Sequence, residues 1–239
     1  MIMITTILFD LDGTLVPMDQ DVFAKEYFTR IATYMTKYGY EPQKLIDTIW
    51  RGTGAMIKNN GTQTNEQAFW EVAESVYGEK IRKDKSHFDD FYLQEFDKIK
   101  EVCGFNQEAS EIVYQLKKKG YRVVLATNPI FPQQATKWRI GWAGLKPDAF
   151  ELYTTYENIN YCKPNLAYYQ EILKRMNVTP EECVMVGNDV DDDMIAIQIG
   201  MRAFLLTDCL INKGEKDISL YPHGTFSDFL DYLQMLNEE

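Results

Sequence analysis

Ile7-Leu8-Phe9-Asp10-Leu11-Asp12-Gly13-Thr14-Leu15 is the stretch on which the fold turns. The apolar run from Ile2 to Phe9 has the length and texture of a short buried strand. It ends in two aspartates spaced i, i+2, followed by a glycine. Strand alternation places Asp10 and Asp12 on one side of the backbone. Gly13 lets the chain turn away with no Cβ in its path. Two carboxylates about 4 Å apart, at an effective dielectric near 20, repel by roughly 4 kcal/mol. Such a pair calls for a cation or a shared proton. An isolated pair of this kind is also compatible with a simple turn and strand-end cap, so the rest of the chain decides.

Downstream of Leu15 the strand signal fades until about Lys100. Asp21 to Tyr38 carries Val22, Phe23, Tyr27, Ile31, Tyr34, Met35 and Tyr38 near helical period. Pro42 opens a second helix with Leu45, Ile46, Ile49 and Trp50, and Arg51-Gly52-Thr53-Gly54 is expected to break or end it. Thr64-Asn65-Glu66-Gln67 reads as a capping box before Phe69, Trp70, Val72, Ala73 and Val76. A fourth helix is expected over about 85–98. The aromatic stripes read as the core of this helical insert, some of them available to line a cleft. His87, one of two histidines, is assigned no role.

From Gln107 onward helices and strands alternate. Tyr121 to Ala126, Glu151 to Thr154, Cys183 to Gly187 and Arg202 to Leu206 read as strands, with helices between them and a last one over Thr225 to Leu236. This alternation predicts an α/β fold with a doubly wound parallel sheet. Ligands of such sheets bind beyond the C-terminal strand ends. Asp10, Thr127 and Asp189 each follow an apolar strand, so the three are expected to share one crevice.

Asp10-Leu11-Asp12-Gly13-Thr14-Leu15 resembles the first motif of the haloacid dehalogenase (HAD) superfamily of phosphohydrolases. Thr127, Lys163 and the Asp189 to Asp193 cluster match the second, third and fourth motifs in order. The insert between the first two motifs resembles the helical C1 cap of subclass I. The resemblance implies a Rossmann-like core over 1–17 and 104–239 and a cap over 18–103. It implies Asp10 as nucleophile, Asp12 as acid and base, and Lys163 as a charge on the phosphoryl oxygens and Asp10. Thr127 and Asn128 would donate further hydrogen bonds to phosphate. The cofactor implied is Mg²⁺, held by the Asp10 carboxylate, the Asp12 main-chain carbonyl and Asp189. The family usually has Asp directly after the glycine of the fourth motif, where this chain has Asn188. Taking Asp189 as ligand leaves Asp193 four residues on, as an acidic residue behind the metal. The other register pairs Asn188 with Asp192. Asp191 and Asp192 also suit a helix start, where negative charge is favoured.

The function expected is a Mg²⁺-dependent phosphatase of a small phosphorylated metabolite. A phosphosugar mutase and a non-catalytic binding protein of the same fold remain open. A dehalogenase would leave Asp12 and the Asp189 cluster without a purpose. Charge bounds the partners. The 239 residues carry a net charge of -11 and a pI near 4.8, which argues against nucleic acid or an anionic membrane. Cys103, Cys162, Cys183 and Cys209 are widely spaced, with no C-x-x-C pair. Free thiols and a cytoplasmic location are expected. No leader sequence and no run of about 18 apolar residues is read in the chain.

Overall fold

The computed structural model describes residues 3–238. The first strand, β1 (Thr6–Phe9), starts later than the apolar run suggested, and Ile2 lies outside the described residues. Five helices follow: α1 (Gln20–Thr36), α2 (Pro42–Ile57), α3 (Asn65–Tyr77), α4 (Glu79–Lys83) and α5 (Lys85–Gln94). A 3₁₀ segment, Phe96–Val102, closes this insert. The alternating part runs α6 (Gln107–Lys118), β2 (Arg122–Leu125), α7 (Gln133–Trp142), β3 (Leu152–Tyr153), α8 (Leu166–Met176), β4 (Cys183–Gly187), β5 (Arg202–Leu206), β6 (His223–Gly224) and α9 (Phe226–Glu238).

The strands form one parallel sheet in the order β3-β2-β1-β4-β5-β6. Strand parity sorts the core. Ile7, Phe9, Val123, Leu125, Val184, Val186, Phe204 and Leu206 point to one face, which α6, α7 and α9 cover with Ile112, Val113, Leu116, Ile140, Phe229 and Leu233. Leu8, Val124, Met185, Ala203 and Leu205 point to the other, covered by Tyr168, Tyr169, Ile172 and Leu173 of α8. Both faces are dry, which explains why these strands read as continuous apolar runs. The chain leaves β1 toward β2 and β3 and later returns to β4 on β1's other side. The β1/β4 boundary is therefore the switch point where such sheets open a crevice.

Two expectations for the insert are corrected. The stretch Arg51-Gly52-Thr53-Gly54 does not break α2, which runs through it. Gly52 is there for packing, since a Cβ would lie 2.5 Å from Cδ2 of Phe69 on α3. Nor do the insert's aromatic residues form a core of their own. They belong to the same cluster as the α6/α7/α9 face of the sheet. Phe96 stacks on Trp142 with centroids 5.6 Å apart, and the indole N–H of Trp142 donates to Asp97 Oδ1 at 2.7 Å. Trp138 of α7 donates to the carbonyl of Tyr92 at 2.9 Å. The expected capping box forms: Gln67 N donates to Thr64 Oγ1 at 3.2 Å and Thr64 N to Gln67 Oε1 at 2.9 Å.

Candidate active site

Asp10 sits one residue beyond β1, its amide donating to the Val186 carbonyl of β4 at 2.9 Å. The next residues fold into a tight loop, with Val16 N on Leu11 O at 2.9 Å and Gly13 N on Val16 O at 2.8 Å. Gly13 has φ 87°, and a Cβ there would lie 2.3 Å from Nδ2 of Asn188. Only glycine meets both conditions. The loop thereby packs against the turn after β4. Thr14 Oγ1 donates to Asn188 Oδ1 at 3.0 Å and lies 3.5 Å from Asp10 Oδ2.

Lys163 joins the two strand ends. Its ammonium is buried and lies 2.9 Å from Asp10 Oδ1 and 2.6 Å from Asp193 Oδ1. Burial alone would lower its pKa, but the two carboxylates outweigh burial and hold it well above the usual lysine range. Gly187 makes room for this arrangement, because a Cβ there would overlap the Asp193 carboxylate. The other Asp193 oxygen accepts from Asp189 N at 3.0 Å. Burial pushes the Asp193 carboxyl up, and Lys163 opposes that shift.

The rest of the acidic cluster divides by task. Asp189 Oδ1 accepts from the amides of Asp191 and Asp192 at 2.8 and 3.0 Å, holding the turn. Asn188 is buried, and its Nδ2 donates to the Cys209 carbonyl at 2.6 Å. Asp191 reaches the surface and pairs with Lys216. Asp192 does more than charge a helix start, and the segment that follows, Met194–Ile199, is 3₁₀. Asp192 lines the cavity, accepts from Asn128 Nδ2 at 3.2 Å, and is pushed up to about 6 by burial, with Asp189 and Asp10 adding to the shift against Lys163. Thr127 is buried beyond β2, its carbonyl fixed by Thr154 Oγ1 at 2.6 Å and Tyr168 OH at 2.9 Å.

One residue of the site was not anticipated from the sequence. Arg139 of α7 is almost fully buried, and its Nη1 pairs with Asp12 Oδ2. Nη2 donates to Thr136 Oγ1 at 3.3 Å, and the guanidinium lies 4.7 Å from the Phe131 ring centroid. The signal was a charge on an otherwise apolar helix face, four residues after Ala135. Burial raises the Asp12 carboxyl, and Arg139 pulls against that shift. Asp12 Oδ1 is left buried with no hydrogen-bond partner.

Asp10, Asp12, Thr127, Asn128, Lys163, Asp189 and Asp193 all border one cavity of about 490 Å³, which continues between the sheet and the helical insert. This is the size and position of a small-molecule site. The sequence model of the haloacid dehalogenase-like hydrolase family matches residues 4–200. The chain belongs to that family. A glyceraldehyde 3-phosphate phosphatase of Methanothermobacter thermautotrophicus is 33% identical over 125 residues, 52% of this chain and 53% of that one, so the match spans about half of that relative. The pyrophosphatase PpaX of Bacillus cereus is 24% identical over 98% of this chain and 97% of its own. Among solved structures, a predicted phosphoglycolate phosphatase of Haemophilus somnus superposes with a TM-score of 0.59 at 18% identity, covering 96% of this chain and 97% of that one. YfnB of Bacillus subtilis, described as bound to magnesium, gives 0.55 at 14% identity over 97% and 99%. At those identities the structures establish the fold, and family membership with phosphatase relatives makes this chain a phosphohydrolase. No helix among the described residues is long and apolar enough to cross a membrane.

Proposed function

We propose that the chain is a Mg²⁺-dependent phosphatase that hydrolyses a small phosphomonoester through an aspartyl-phosphate on Asp10. The observation that carries this reading is the state of Asp12. One of its carboxylate oxygens is tied to Arg139, and the other is buried without a partner beside Asp10. A carboxyl group held in one orientation, with a free oxygen and a raised pKa, suits proton transfer to a leaving alcohol.

The residues fit a hard divalent cation. Asp10, Asp12, Asp189, Asp191, Asp192 and Asp193 border the cavity, against Lys163 and Lys213 on its lining and Arg139 behind it. That leaves an excess of negative charge around the site. The ligand set needs only two side chains, the Asp10 and Asp189 carboxylates, with the Asp12 main-chain carbonyl as third. Among the described residues no three His, Cys, Asp or Glu side chains converge on one point. Magnesium, when bound, supplies positive charge that offsets the repulsion between these carboxylates and an incoming phosphate.

The protein's own groups then divide the work. An Asp10 carboxylate oxygen attacks phosphorus while the P–O ester bond breaks. Asp12 gives its proton to the departing oxygen. Lys163, fixed by Asp193, pairs with the Asp10 carboxylate and lies where charge builds on the phosphoryl oxygens. Thr127 and Asn128 donate to those oxygens. Water next attacks the phosphoryl group, Asp12 takes its proton, and Asp10 and inorganic phosphate are released. Residues 18–103 act as the cap and residues 1–17 and 104–239 as the core. The two connecting stretches meet where Gly104 N donates to Pro17 O at 2.7 Å. The test is phosphate release from a panel of phosphomonoesters. Turnover is expected with Mg²⁺ and not with excess chelator. Full turnover in chelator, or none with any substrate, would refute the reading.

A further inference from the structure

The cavity is far larger than a phosphate needs, and its outer part is built from the insert. Phe23, Tyr27, Phe28, Trp50, Phe69 and Trp70 line it there. Among the described residues, the cations on its lining are Lys163 and Lys213, and neither belongs to the insert. The insert contributes the carboxylate of Asp21 instead. At the back, Tyr156 is buried, and the nearby carboxylates of Glu66, Glu157 and Asp89 add to the effect of burial in raising its hydroxyl. A second anionic group held among the insert's rings would find negative potential and no cation from the insert to pair with, at the cost of a buried, unpaired charge.

The rings are arranged as a slot. Phe69 and Trp70 meet at 87°, and Trp70 and Phe88 at 83°, with centroids 5.4 and 5.5 Å apart. Edge-to-face contacts of this kind use the rings against one another and leave flat walls. An aromatic cage for a cation needs ring faces converging on a point. At the mouth Trp50 is 55% exposed and leans on Phe28 at 5.0 Å and 36°. The part of the Trp50 ring left open to solvent at the entrance of an apolar cavity offers an apolar contact surface.

We propose that the substrate is the phosphomonoester of an uncharged, ring-bearing apolar alcohol. Its ring packs against the Trp50–Phe28 pair and Phe69 in the outer part of the cavity while its phosphate meets Asp10 and Lys163. Substrates with a second phosphate or a carboxylate are excluded. This rests on the phosphatase reading and names the class of substrate for the same site.

The test compares kcat/KM for alkyl phosphates of similar leaving-group basicity: 3-phenylpropyl phosphate, glucose 6-phosphate, phosphocholine and 1,3-propanediol bisphosphate. The phenyl ester is expected to lead by roughly ten- to a hundredfold, the range set by burying one aromatic group. Trp50→Ala, at an exposed position, is expected to remove about tenfold of the lead over glucose 6-phosphate, through KM. Thr53→Arg places a cation on the cavity wall and is expected to raise the bisphosphate relative to the phenyl ester. A wild-type enzyme that turns over glucose 6-phosphate, phosphocholine or the bisphosphate as well as the phenyl ester overturns the inference and leaves the phosphatase reading standing. If no ester is hydrolysed, the phosphatase reading fails. Binding of the same four esters to Asp10→Asn, followed by tryptophan fluorescence, then still decides the inference. Tighter binding of the phenyl ester supports it, and equal or weaker binding overturns it.

Discussion

Replacing Gly52 and Gly54 by alanine, one at a time, separates helix propensity from packing at two sites a half-turn apart in α2. In a helix interior alanine is favoured over glycine by about 1 kcal/mol. At Gly54 a Cβ meets nothing within 4 Å, so Gly54→Ala is expected to gain that amount. At Gly52 the Cβ lies 2.5 Å from Cδ2 and 2.7 Å from Cε2 of Phe69. The ring must swing away, and overpacking of this kind costs about 1–3 kcal/mol. Gly52→Ala is thus expected to be neutral or destabilising by up to about 2 kcal/mol. The gap between the two variants should be about 1–3 kcal/mol, read from urea midpoints at constant slope. In a chain of this size each kcal/mol moves Tm by about 2–4 °C. Phe69 also lines the cavity, so Gly52→Ala should raise KM while Gly54→Ala leaves it alone. Equal stabilisation by both alanines, with KM unchanged, would mean that Phe69 does not rest on Gly52.

Arg139→Met leaves the Asp12 carboxyl buried without its cation and is expected to cost about 3–5 kcal/mol. Adding Asp12→Asn should recover part of that loss, and a double-mutant cycle by urea unfolding that shows strict additivity would remove the pair from the account. Asn65, fully buried, ties the insert to the loops that follow β2 and β3. Its Nδ2 lies 3.3 Å from the carbonyls of Pro129 and Tyr161, and the amides of Asn65 and Glu66 donate to Ile159 O at 3.1 Å and Tyr156 O at 2.7 Å. Asn65→Leu should speed hydrogen exchange of those two amides and leave the β1 and β4 amides unchanged, whereas unaltered exchange at all of them would contradict this fastening.

The strands were readable because a sheet covered on both faces needs unbroken apolar runs, as in Cys183 to Gly187 and Arg202 to Leu206. Asp10, Thr127 and Asp189 were readable because polar residues at strand ends stand out against those runs, and Lys163 only through the resemblance to the family's third motif. What escaped depends on contacts between distant segments. Gly52 looked like a helix breaker because its reason lies on α3, in Phe69. Arg139 went unassigned, since its partner Asp12 lies more than a hundred residues away. The insert looked self-contained, yet Phe96 and Trp142 join it to the sheet's core. β6, two residues long at His223–Gly224, offers no period to detect. Asp192 carries no mark that would distinguish it from Asp191, although one is half-buried and accepts from Asn128 while the other pairs with Lys216.

The central claim is that Asp10 carries the phosphoryl group and Asp12 moves the proton. A rapid-mixing experiment with an aryl phosphate and Mg²⁺ tests it on wild type, Asp10→Asn and Asp12→Asn. An aryl leaving group needs little protonation, so Asp12→Asn should still form the aspartyl-phosphate, giving a burst of phenol followed by slow turnover. With alkyl phosphates the same variant should show no burst. Asp10→Asn should lose the burst and fall by about 10⁴-fold or more, as nucleophile deletions do in other covalent enzymes. A burst from Asp10→Asn, or an equal loss for aryl and alkyl esters in Asp12→Asn, would contradict the assignment.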